Sequence, residues 1–163
     1  METIAFTTFI PAYEQQVATL ITNIQQKEFG VPITFADQPD LSNIPSFYQQ
    51  GKGNFWCALN QQSEVVGTIA LIDTGSNIGA IRKMFVRADY RGKEKNVAAQ
   101  LLQILESHAQ NKGLKQLYLG TVPLLKAALR FYEKNGYEPV AEQDLPPQFP
   151  KMAVDTVFFK KIL

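Results

Sequence analysis

The sequence predicts a single α/β domain built on one central mixed β-sheet with helices on both faces. Three observations lead there. An antiparallel run of three strands occupies the middle of the chain, a strand–helix–strand crossover follows it, and no linker divides the 163 residues. Hairpins beside a parallel crossover require a mixed sheet, and the crossover helices must cover its faces. The length suits one domain with a real hydrophobic core.

Each element has its own signal. Residues 2–9 (ETIAFTTF) are rich in Thr, Ile and Phe and predict a strand. Pro11 opens a helix at a first-turn position, and Val17, Leu20, Ile21 and Ile24 keep helical spacing through 12–28 until Gly30 and Pro32 stop it. Residues 31–53 are less regular. They hold a turn at Asp37-Gln38-Pro39-Asp40, a short helix reaching Tyr48 and capped by Asp40 or Ser42, and a second turn at Gly51-Lys52-Gly53.

Strands follow over 54–59, 64–73 and 79–87, joined by Gln61-Gln62-Ser63 and Thr74-Gly75-Ser76-Asn77. The helix predicted over 93–112 aligns Val97, Leu101, Ile104, Leu105 and His108 on one face, and Gly113 ends it. A strand over 115–121, a helix over 124–134 stopped by Asn135-Gly136, and strands over 137–140 and 152–160 complete the chain.

Composition narrows the function classes. Apolar residues make up 45%, charged residues 19%, and the formal net charge is +1. That balance gives no whole-molecule attraction to nucleic acid or to an anionic membrane, and neither is expected as a partner. Cys57 is the single cysteine, so no internal disulfide forms, and a buried, inert thiol is expected. Without a Cys/His cluster no metal site is expected. The first residues lack a basic stretch followed by an apolar one, and no apolar run approaches the roughly 20 residues of a membrane span. A cytoplasmic protein is expected.

The informative junction runs Met84-Phe85-Val86-Arg87-Ala88-Asp89-Tyr90-Arg91-Gly92-Lys93-Glu94-Lys95-Asn96-Val97-Ala98-Ala99-Gln100-Leu101-Leu102. A strand ends, a basic loop turns, and an amphipathic helix begins. A helix start carries free N–H groups and the positive end of the dipole, where phosphates bind readily. Gly92 adopts positive φ easily, and Asn96 is among the few other residues that tolerate it. Ala98 keeps the helix surface thin, while Arg91, Lys93 and Lys95 add local positive charge.

This junction resembles the pyrophosphate loop of the GNAT superfamily of acetyl-CoA-dependent N-acetyltransferases. In that family an apolar-x-Val strand end leads to Gln/Arg-x-x-Gly-x-Gly/Ala and a helix with a Leu-Leu pair. Here Phe85-Val86 ends the strand and Leu101-Leu102 is the pair. Counting back from that pair puts Lys93 at the Gln/Arg position, Asn96 at the first Gly and Ala98 at the last. Alternatively Arg91 is the motif arginine, and the loop holds two extra residues. Both alignments keep Asn96-Val97-Ala98 against a pyrophosphate. Downstream, Ala128-Leu129-Arg130-Phe131-Tyr132-Glu133-Lys134-Asn135-Gly136-Tyr137 is similar to a second family motif. Leu125 stands where the family often has Asn. The resemblance covers residues 64–137.

The resemblance implies a GNAT fold whose sheet is splayed where acetyl-CoA enters, and a direct transfer to a small-molecule or peptide amine in a ternary complex. It implies that the strand at 84–87 pairs with the pantetheine arm and that a backbone N–H near Phe85-Val86 serves the oxyanion. Phe85, Val86, Arg91, Gly92, Lys93, Lys95, Asn96, Val97, Ala98 and Ala128 are the implied cofactor-binding residues, and Tyr132 the general acid. A homodimer is common in the family. A catalytically weak acyl-CoA-binding or sensor protein is the alternative.

The general base stays open among Glu28, Asp37 and Glu64. His108 is expected to pack or face solvent. Phe47, Tyr48, Phe55 and Trp56 are expected in the core, with a substrate pocket as the alternative. Arg82-Lys83 either faces solvent or attracts an acidic group on the acceptor.

Overall fold

The computed structural model describes residues 2–122, 126–152 and 155–163. Its strands are β1 (Ala5–Thr8), β2 (Asn54–Leu59), β3 (Val65–Gly75), β4 (Ile78–Val86), β5 (Gln116–Thr121), β6 (Glu138–Val140) and β7 (Val157–Ile162). They form one sheet in the order β1-β2-β3-β4-β5-β7-β6. Among the described residues, only the β4–β5 pair is parallel. The helices are α1 (Glu14–Asn23), α2 (Ile44–Phe47), α3 (Val97–Asn111) and α4 (Lys126–Lys134).

Strand alternation sorts the side chains into two cores. Phe55 and Cys57 of β2 pack with Val17, Leu20 and Ile21 of α1 and with Leu41, Ile44 and Tyr48. Trp56 and Ala58 face the other way, onto Val97, Leu101, Leu102 and Leu105 of α3. Each such buried aliphatic side chain contributes about 1.5–3 kcal/mol. Helix α3 sits close on the sheet because Gly67 has no side chain. A Cβ there would lie 3.1 Å from Val97 Cγ1 and from Leu101 Cδ1.

The three-strand meander follows the sequence closely. Gly75 pairs with Ile78 across Ser76 and Asn77, whose φ values are 57° and 61°. Two central residues at positive φ make the hairpin turn that matches strand twist.

The sheet opens between β4 and β5. Their pairing stops after Ile78–Gln116, Gly79–Leu117 and Ala80–Tyr118. A bulge in β4 lies just beyond. Thr68 faces Phe85 and Ala70 faces Arg82, so Lys83 and Met84 together oppose Ile69, and Lys83 takes a φ of 55°. A bulge bends its strand and increases its twist, which carries the end of β4 away from β5.

Several elements differ from the sequence prediction, in their ends or in how they divide. Helix α3 starts at Val97 rather than 93, because Asn96 stands at φ 52° and Gly92 at φ 110°. The helix predicted over 12–28 divides into a 3-10 turn (Pro11–Tyr13), α1 and a π turn (Ile24–Glu28). The short helix before Tyr48 breaks at Asn43, and neither Asp40 nor Ser42 caps it with a side chain. Strand β7 begins at Val157, not 152. Leu125 and the first residue of the predicted 124–134 helix lie outside the described residues.

Candidate active site

The opened edge of β4 is the starting point, because beyond Ala80 it has no strand partner on the β5 side among the described residues. The β3 ladder fixes which backbone groups point there. The Arg87 N–H donates to Val66 O at 2.8 Å. In an antiparallel ladder Phe85 then also turns its N–H toward β3, and Val86 turns its N–H toward the open edge. At the bulge the Lys83 carbonyl accepts from Thr68 Oγ1 at 2.7 Å. The C=O and N–H of a trans peptide point opposite ways, so the Met84 N–H is directed away from β3. The outward donors are therefore Met84 and Val86, and Phe85 is not one of them.

The loop after β4 is held by its own side chains. Arg91 Nε donates to Val86 O at 2.7 Å, and the same guanidinium pairs with both oxygens of Glu28. Lys95 Nζ donates to Asp89 O at 2.8 Å and lies 4.4 Å from the ring centroid of buried Tyr90. Lys93 is exposed and has no side-chain partner among the described residues. Of the three loop cations it is the one left to meet a ligand.

The start of α3 offers further donors. Its backbone ladder begins with Gln100 N–H to Asn96 O at 3.1 Å. The N–H groups of Val97, Ala98 and Ala99 precede that bond and have no intrahelical acceptor, and no side chain caps them. The Val97 side chain is buried against Gly67, so only its backbone faces this site. Ala128, on α4, packs partly buried against the same core.

Tyr132 is buried in α4 beside Tyr137, at 5.8 Å between centroids, and Phe159, at 6.1 Å. Its hydroxyl makes no hydrogen bond among the described residues. Burial pushes its pKa well above the usual phenol value, and the negative charge of Asp155 adds to the shift.

Comparison with known proteins decides what these features share. Residues 18–137 match the model of the acetyltransferase (GNAT) family. This chain belongs to the GNAT family. It is similar to an acetyltransferase of GNAT family from Staphylococcus aureus Mu50, with a TM-score of 0.94 and 34% identity over 98% of this chain and 99% of that one. It is 31% identical over 110 residues to "Probable N-acetyltransferase 14" of Xenopus tropicalis, a match spanning 67% of this chain and 52% of that protein. The chain thus spans about half the length of that curated relative. A PaiA N-acetyltransferase of Thermoplasma acidophilum, in complex with coenzyme A, shares the fold at a TM-score of 0.73 and 15% identity, covering 99% of both chains.

Several side chains of this GNAT domain settle into structural roles. Cys57 is buried, and burial pushes its thiol up to about 12. His108 Nε2 lies 3.0 Å from Lys52 O, and its ring packs edge-on to Trp56. Tyr48, Phe55 and Trp56 are core residues, while Phe47 is exposed. Asp37 is exposed and accepts from Thr34 N and Oγ1 at 3.0 and 2.9 Å. Glu64 accepts from Asn60 at 2.8 Å and Glu28 is held by Arg91. Glu28 and Glu64 line a separate groove of about 860 Å³ beside α1, which includes neither Tyr132 nor the start of α3.

Two features were missed in the sequence. The first is a buried polar network under the bulge. Lys83 Nζ donates to Gln38 Oε1 at 2.6 Å and lies 3.5 Å from Asp40 Oδ2, which also accepts from Tyr48 Oη at 2.5 Å. Lys83 therefore faces neither solvent nor an acceptor. Burial lowers its pKa, and the neighbouring Asp40 carboxylate opposes that shift. The second is Asp155, half-buried against β5. A Cβ on Gly120 would come within 2.6 Å of its Oδ2. Burial raises its carboxyl pKa, against the pull of Arg82 and Lys83. Neither residue lies in a motif. The one sequence signal available was Gly120, a strand glycine that marks a close approach.

Proposed function

We propose that this chain transfers an acetyl group from acetyl-CoA to an amine acceptor in a ternary complex. The observation that carries the proposal is the parting of β4 from β5 directly beside a basic helix start. The donors present suit the cofactor. Lys93 and the free N–H groups of Val97, Ala98 and Ala99 would suit a pyrophosphate, with Gly92 and Asn96 supplying the turn. The Val86 N–H and the Met84 N–H line the opened edge, suited to the amides of a pantetheine arm and to a developing oxyanion. Acetyl-CoA supplies the activated thioester.

The chain's residues then do three things. They fix the reacting atoms, which can lower the barrier by about 7–11 kcal/mol relative to free encounter. A backbone N–H on the oxyanion is worth about 2.7–4 kcal/mol in comparable sites. Tyr132 stays protonated at neutral pH and can donate to the departing sulfur. The burial that raises its pKa disfavours a thiolate in the same place for the same reason, so transfer between them is not opposed by the whole shift.

Thermal unfolding with and without acetyl-CoA tests the cofactor site. A ligand at 100 times its Kd stabilises by about 2.7 kcal/mol. Absence of any shift would remove the basis of the proposal. A shift without CoA release over a broad amine panel would favour a sensor.

A further inference from the structure

The opened gap has two mouths with different chemistry. Tyr132 belongs to the core on the α3 face. Arg82 opposes Ala70, whose side chain packs on the α1 face with Phe55 and Cys57. Gly120 neighbours Leu119, which faces α3, so alternation puts Gly120, and Asp155 upon it, on the α1 face. From β4, the Arg82 guanidinium reaches the chain leading to β7, with Nη2 3.1 Å from Met152 Sδ. That weak acceptor is its sole side-chain hydrogen-bond partner among the described residues. Asp155, beyond Met152, has no side-chain hydrogen bond or ion pair among them. Lys83, by contrast, has Asp40, and Arg91 has Glu28. The α1 mouth therefore holds one half-buried cation and one half-buried anion, neither of them in an ion pair among the described residues.

Resting on the proposed acetyl transfer, we infer that this mouth is the acceptor site and that it selects an amino acid. Asp155 receives the ammonium and Arg82 the carboxylate of one molecule. The ammonium gives a proton to the Asp155 carboxylate. The nitrogen lone pair forms the bond to the acetyl carbon, and the carbon–sulfur bond breaks with its electron pair on sulfur. Sulfur takes a proton from Tyr132, the nitrogen's second proton restores Tyr132 through solvent, and Asp155 releases its proton to water. Burial of Asp155 makes it a stronger base than an ordinary carboxylate, with Arg82, Lys83 and Tyr132 the ionisable groups around it.

The test is CoA release with the twenty amino acids and with their carboxamides, run beside the acetyl-CoA thermal shift. The expected result is turnover of one or a few amino acids and weak turnover of the matching carboxamides. R82Q should raise the KM for the amino acid about 10–100-fold and leave the carboxamide unaffected. D155N should lower kcat about 10²–10⁴-fold and abolish the acid limb of the kcat/KM pH profile, with D155E recovering part of both. Equal turnover of carboxamides, or equal loss for both in R82Q, overturns the inference. An acetyl-CoA shift with no amino acid acetylated overturns it too and leaves cofactor binding standing. No acetyl-CoA shift removes both proposals.

Discussion

Thr68 Oγ1 donates a 2.7 Å hydrogen bond to the Lys83 carbonyl, joining β3 to the bulge of β4 in the interior of the sheet. That bond fixes the orientation of the following peptide and so the direction of the Met84 N–H. Thr68→Val keeps the shape but leaves the carbonyl unpaired, at a cost of about 1–3 kcal/mol. The expected outcome is a lower Tm and a lower kcat with the acetyl-CoA shift retained, both recovered by Thr68→Ser. Unchanged kcat in the valine variant would separate the bulge from catalysis.

The loop cations divide in a way that kinetics can read. Lys93→Ala removes an exposed charge with no side-chain partner among the described residues, so Tm should stay the same. If it meets a phosphate, the loss is about 0.5–1 kcal/mol, as for other exposed ion pairs, seen as a two- to five-fold rise in the acetyl-CoA KM. Arg91→Ala breaks the contacts to Glu28 and to Val86 O, so it should lower Tm. Titrating acetyl-CoA in both variants checks the division.

Tyr132→Phe isolates the hydroxyl. The ring packing with Tyr137 and Phe159 is preserved, and no hydrogen bond to a described residue is lost. Stability should therefore be unchanged. Turnover should fall about 10²–10⁴-fold, the usual contribution of a positioned acid. Wild-type turnover in this variant would end the assignment of Tyr132 as the acid.

The sequence carried the α3 side of the gap better than the α1 side, for a physical reason. A loop that turns tightly into a helix needs residues able to reach positive φ, and Gly92 and Asn96 declare that need by their identity. The turn within Thr74-Gly75-Ser76-Asn77 was legible from its glycine, serine and asparagine, the residues that favour turns. Lys83 at φ 55° is the opposite case. A β4 lysine gives no sign of a bulge, because its conformation is imposed by Thr68, Asp40 and Gln38, which are distant in sequence. Asp40 looked like a helix cap by its position before a short helix, yet the burial of Lys83 recruits it inward. Asp155 stands alone after a proline-bearing loop. Its importance comes from landing on Gly120, a contact no spacing rule encodes. The α3 start slipped from 93 to 97 because Lys93-Glu94-Lys95 are residues a helix accepts readily, while Asn96 at positive φ holds the backbone out of the helix until Val97.

The Asp40–Lys83 pair makes a prediction about stability alone. Removing one member of a buried ion pair leaves an uncompensated charge and costs about 3–5 kcal/mol. Asp40→Ala should cost that much and also strand the Tyr48 hydroxyl. Lys83→Met alone likewise strands the buried Asp40 carboxylate, whereas Asp40→Asn combined with Lys83→Met removes both charges together, keeps an acceptor for the Tyr48 hydroxyl and leaves no uncompensated charge. Denaturant unfolding should rank Asp40→Ala as clearly more destabilised than the double variant. The reverse order would mean that the ion pair itself contributes net stability that neutral side chains cannot replace.

Asp155 should also leave a signature in the pH dependence of folding. Its pKa is raised in the folded protein above the ordinary 3.8, so the folded state holds this proton more tightly than the unfolded chain. Stability changes with pH in proportion to the protons bound by the unfolded state minus those bound by the folded state. For this residue the difference is negative. Its contribution is fully present below the unfolded pKa and is lost as pH rises through the folded value, where the half-buried carboxylate must ionise. Asp155→Asn cannot ionise and escapes that loss. Comparing Tm for the two proteins from pH 3.5 to 7 cancels the groups they share. The variant should gain on the wild type as pH rises, with the gain levelling off above the folded pKa of Asp155. A difference that stays flat across this range would mean that the carboxylate is as well solvated in the fold as in the unfolded chain. It would then lack the raised basicity that suits it to take a proton from an ammonium group.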